Sequence, residues 1–120
     1  MDDSLQLARQ IADTCFDKKA INTIVLDMHD LSVMCDYFVI ANAPTRVQIA
    51  DITRSIDSAQ SALGRQPQRI EGRGDNAWVL LVYGNVIVHL FLDQERGFYN
   101  LEGLWHKAPI VYAPDEEREK

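Results

Sequence analysis

The stretch Trp78-Val79-Leu80-Leu81-Val82-Tyr83-Gly84-Asn85-Val86-Ile87-Val88-His89-Leu90-Phe91-Leu92 decides the fold. Two runs rich in β-branched and aromatic residues flank Gly84-Asn85, a two-residue turn of the kind that closes antiparallel hairpins. Such a turn pairs Tyr83 with Val86 and, counting back, Leu80 with His89 and Trp78 with Phe91. Side chains alternate faces along a strand, and opposed residues share one. One face then carries Val79, Leu81, Tyr83, Val86, Val88 and Leu90; the other carries Trp78, Leu80, Val82, Ile87, His89 and Phe91. The first set is almost wholly aliphatic and is expected to be core beneath helices. Trp and His join an apolar body to a polar group, a combination that suits interfaces, so the Trp78/His89/Phe91 face is expected outside. Two other readings compete: both faces covered within the monomer, or the second face buried by another copy.

Upstream, Pro44-Thr45-Arg46-Val47-Gln48 has a proline to stop a strand and capping-box spacing to start a helix. Ile49, Ile52, Ile56, Ala59 and Leu63 continue it at helical spacing, and Gly64 fits the position after its end. An earlier helix is predicted over Ser4–Phe16 from Leu5, Ala8, Ala12 and Cys15. Strands are predicted over Thr23–Met28 and Asp36–Ala41, and a weak edge strand over Gln68–Glu71 before the polar turn Gly72–Asn76. The order α-β-β-α-β-β-β gives a mixed sheet of about five strands, with helices mainly on one face. One domain over residues 1–106 is expected, followed by a mobile acidic tail at 107–120.

The chain has 120 residues, 47% hydrophobic and 25% charged, the composition of an ordinary globular domain. Its apolar runs are far shorter than the ~20 residues a membrane helix needs, and Met-Asp-Asp-Ser at the start lacks the basic segment of a secretion signal. Cys15 and Cys35 are read as reduced thiols of a cytoplasmic protein. A net charge of −6 argues against direct nucleic-acid binding and favours a basic partner.

Catalytic patterns are sparse. Asp27 and Asp36, on adjacent strands, could converge on a metal, yet there is no Asp-x-Asp and no Gly-Ser phosphate turn. The His and Cys residues lack zinc-site spacing, so neither a metal nor a cofactor is expected. Glu95, Arg96, Tyr99, Glu102 and Trp105, just after the hairpin, read either as a solvated closing segment or as a polar rim beside an aromatic centre.

Asp36-Tyr37-Phe38-Val39-Ile40, the run Trp78–His89 and the ending Phe98-Tyr99-Asn100-Leu101-Glu102-Gly103-Leu104-Trp105 together resemble the ribosomal silencing factor (Iojap-like) family. The resemblance implies a nucleotidyltransferase-like fold without catalytic acids. It also implies a non-enzymatic factor that binds the large ribosomal subunit through its fourteenth protein and blocks joining of the small subunit when nutrients are scarce. A part in large-subunit biogenesis and a homodimer in the free state are implied as well. The expected contacts are Trp78, Tyr83, His89, Phe91, Glu95, Arg96, Tyr99, Glu102 and Trp105. Asn85 and Asn42 replace an acid and a glycine common in the family, and the stretch from Pro44 to Val47 keeps only its arginine. The alternative function is a nucleotidyltransferase-like enzyme acting on nucleotides.

Overall fold

The computed structural model describes residues 3–31, 35–93 and 107–117. The hairpin forms as its turn dictates. Strands β4 (Trp78–Tyr83) and β5 (Val86–Leu92) pair antiparallel, with Tyr83 opposite Val86, Leu80 opposite His89 and Trp78 opposite Phe91. Gly84 has φ +59° while Asn85 stays out of the left-handed region, as the glycine-first hairpin turn requires.

Preceding these are helix α1 (Asp3–Asp17), strands β1 (Ile21–Asp27) and β2 (Tyr37–Ala43), helix α2 (Arg46–Ala62) and the short strand β3 (Arg69–Glu71). After them come strand β6 (Ile110–Tyr112) and a four-residue helix α3 (Pro114–Glu117). The sheet runs β3-β4-β5-β2-β1-β6. β2 and β5 are parallel; every other neighbouring pair is antiparallel.

Helix α2 is stopped and started locally. Thr45 accepts from the Gln48 backbone N–H at 3.1 Å. At the other end the Gly64 and Arg65 N–H groups close back on Ser61 and Gln60, with Gly64 at φ +81°. The buried stripe is Ile49, Ile52, Thr53, Ile56 and Gln60, not the expected run through Ala59 and Leu63. At 3.6 residues per turn, the position after Ile56 that faces the sheet is Gln60. Its side-chain oxygen accepts from Arg65 at 3.0 Å, which makes its burial tolerable, and Leu63 is left 58% exposed.

Both long helices pack on one face of the sheet. There Ala8, Ile11, Ala12 and Cys15 of α1 and the α2 isoleucines meet Val25, Val39, Ala41, Val79, Leu81, Val86, Val88 and Leu90. Cys15 and Cys35 are buried and unbridged. Burial pushes the Cys15 thiol up to about 12.

The expected boundary at residue 107 is corrected. Residues 107–117 belong to the fold: β6 pairs with β1, the Tyr112 hydroxyl donates to Asp13 at 2.6 Å, and the Asn22 N–H donates to Asp115 at 2.8 Å. Ile110-Val111-Tyr112 is a strand too short for alternation to show, and it borders the charged run after Asp115.

Candidate partner-binding surface

The sheet face opposite the helices holds a second, smaller core of Leu26, Met28, Cys35, Ile40, Phe91 and Ala108. Register assigns its members: Ile24 and Leu26 on β1 lie opposite Ile40 and Phe38 on β2, which neighbour His89 and Ile87 on β5. The expectation that Trp78, His89 and Phe91 stand together outside is therefore corrected. Phe91 is fully buried and His89 is 6% exposed. The pattern Trp-x-Leu-x-Val on one strand and Ile-x-His-x-Phe on the other is apolar enough to be core on this side too. Among the described residues on this face, a strip of Trp78, Leu80, Val82, Ile87, Phe38 and Ile24 is half-buried: Trp78, Leu80 and Val82 alternate along β4, Ile87 and Phe38 continue the row from Val82, and Ile24 lies diagonal to Phe38 on β1.

The rings at one end of this strip are closely packed. Trp78 stacks on Phe91 with centroids 5.0 Å apart, Phe38 meets His89 edge-on at 4.6 Å, and the Trp78 Nε1–H donates to His89 Nδ1 at 3.2 Å. With no charge beside it on β2, β4 or β5, burial alone pushes the His89 imidazole down to about 4.

Tyr83 is not part of this surface. It faces the helices with Val79 and Leu81 and is 4% exposed, as strict alternation along β4 requires. Burial raises its hydroxyl to about 12. Glu95, Arg96, Tyr99, Glu102 and Trp105 lie outside the described residues.

Asp27 and Asp36 come together, but on His29. Asp27 Oδ1 lies 2.5 Å from His29 Nδ1, and Asp36 Oδ1 lies 3.4 Å from Nε2. The His29 N–H and ring hold the Asp27 carboxyl below its usual range. The sequence offers the two acids as a possible metal pair; the structure brings both to His29, which follows Asp27 by two residues. Among the described residues no group of His, Cys, Asp or Glu is arranged to hold a metal ion. A cavity of about 380 Å³ opens at the carboxyl ends of the parallel pair β2/β5, lined by Pro44, Thr45, Arg46, Val47, Leu92 and Asp93. Open sheets commonly take ligands at that end of parallel strands. The Asp27/Asp36 pair sits at the other end of β2, roughly 20 Å away by strand rise, so acids and cavity do not make one site.

The architecture is a mixed α+β sheet with a helical layer on one side and a partly open apolar strip on the other. The model of the family "Ribosomal silencing factor during starvation" matches residues 1–120. The ribosomal silencing factor of Bacillus subtilis is 39% identical over 100 residues, covering 83% of this chain and 85% of that one. The chloroplastic Iojap protein of Arabidopsis thaliana is 36% identical over 120 residues, 97% of this chain and 48% of its own length. A crystal structure from Bacillus halodurans, 36% identical, superposes with a TM-score of 0.74 over 90% of this chain and 95% of that one. The chain belongs to the ribosomal silencing factor family.

Proposed function

We propose that this protein is a ribosome-associated repressor of translation that works by steric blocking. It binds the large subunit through the fourteenth ribosomal protein and denies the small subunit its docking surface under nutrient limitation. The observation that carries the contact assignment is the half-buried strip Trp78, Leu80, Val82, Ile87, Phe38 and Ile24 on a sheet face that is otherwise core. A strip of this kind has the mixed aliphatic and aromatic make-up of an interface centre. The net charge of −6 supports a basic partner by favouring encounter with it. Family membership supports the ribosomal target, and bacterial relatives are named as silencing factors rather than as enzymes.

Co-sedimentation with isolated large subunits tests the reading. Wild type should pellet with them. Trp78→Ala should bind at least ~30-fold more weakly, the factor for losing ≥ ~2 kcal/mol at a contact centre. Equal pelleting by both removes Trp78 from the contact, and failure of wild type to pellet overturns the function.

A further inference from the structure

Trp78 and His89 are diagonal neighbours across β4 and β5, joined by the 3.2 Å bond from the indole nitrogen to Nδ1. An indole N–H can only donate, so Nδ1 is the acceptor and the imidazole proton sits on Nε2. Nε2 is buried and meets no acceptor among the described residues. A buried donor without a partner is destabilising. For filling space between Phe38, Ile40 and Leu80, leucine would serve better than histidine. What histidine provides here, and leucine cannot, is the acceptor at Nδ1. Its ring is itself fixed, edge-on to Phe38 and parallel to Phe91 within 5°. The acceptor is therefore presented in one place.

We infer that His89 is a positioning residue of the binding surface: through Nδ1 it holds the half-exposed Trp78 indole in a single orientation, so that the partner meets a preset ring. The indole N–H is already engaged, and what Trp78 offers outward is apolar ring surface. Preset orientation matters because ordering a side chain at the moment of binding weakens association. The inference rests on the reading of the strip as the docking surface.

The test uses the full chain in two arms. In the free protein, nitrogen-edited NMR shows two indole N–H signals, from Trp78 and Trp105, and Trp78→Phe identifies the first by its loss. His89→Asn keeps an acceptor close to the Nδ1 position and should preserve slow solvent exchange of the Trp78 indole. His89→Leu should release it to fast exchange. His89→Gln, whose polar end lies nearer the Nε2 position, should behave like His89→Leu and replaces it if the leucine variant fails to fold. In the binding arm, His89→Leu and His89→Gln should co-sediment with large subunits roughly three- to tenfold more weakly, and His89→Asn within about twofold of wild type. An indole signal unmoved in His89→Leu, or wild-type binding by a variant whose indole is released, overturns the inference. If wild type itself fails to pellet, the docking reading falls and the binding role falls with it, while the exchange data still decide whether His89 holds the indole.

Discussion

Acidification should destabilise this fold through His89, and the size of the effect follows from its surroundings. The ring packs against Phe38, Ile40, Trp78, Leu80 and Phe91, and no charged group among the described residues faces it. Burial therefore lowers its pKa from 6.5 to about 4. The folded state favours the neutral ring, so as pH falls the unfolded chain takes up the proton first. The stabilisation from this group is present above about pH 6.5 and is lost progressively as pH falls towards 4. At ~1.4 kcal/mol per pKa unit, the full loss is on the order of 3 kcal/mol. That is a large share of the ~5–15 kcal/mol typical of a domain. Urea denaturation between pH 7.5 and 4.5, wild type beside His89→Leu, isolates the effect because His29 and His106 are common to both. The gap between the two proteins should shift against wild type by about 1 kcal/mol per unit below pH 6. Asp27, whose pKa is lowered from 3.8, acts only below this window. Parallel profiles from pH 6.5 to 4.5 would refute the reasoning, because they would mean that His89 titrates alike in both states.

Gly72→Ala should cost about 1–3 kcal/mol, since φ is +88° there and a Cβ would stand 2.0 Å from the Trp78 carbonyl oxygen; an unchanged denaturation midpoint would contradict the geometry. Thr45→Ala removes the cap of α2 and should cost about 1 kcal/mol by the same assay. A chain ending at residue 106 loses β6 and the Pro109 carbonyl that accepts the Asp27 N–H at 2.9 Å. Its Asp27 amide should exchange rapidly and its melting temperature should fall, whereas native-like protection would return the C-terminal segment to the status of a tail.

The parts of this fold that were readable carry their signal locally. Gly84-Asn85 sets the β4–β5 register by itself, and Thr45 to Gly64 contains both ends of α2. The reading failed where the deciding contact lies far off in sequence. β6 has three residues and exists because β1 offers an edge some 85 positions earlier. The fate of the Trp78/His89/Phe91 face depended on Ile40, Leu26 and Ala108, which no period within the hairpin reveals. Alternation correctly sorted the hairpin into two faces, but it cannot say which face is covered when both are apolar. Tyr83 is the sharpest case: the same alternation that put it under the helices excludes it from the contact surface, whatever its resemblance to aromatic hot spots.

The proposed docking role is compatible with a sheet that has two apolar faces. Where Phe91, Ile40 and Leu26 are sealed, the face contributes to stability; where Leu80, Val82, Ile87 and Phe38 are half-covered, it offers apolar surface without a large exposed patch of the kind that promotes aggregation. Trp78 stands at the border between the two zones. It stacks on Phe91 and donates its indole N–H to His89, while the residue as a whole stays half-buried. A contact placed at that border draws its rigidity from the core and its area from the surface. On the proposed reading, the ring that the partner meets is held by residues the partner need not touch.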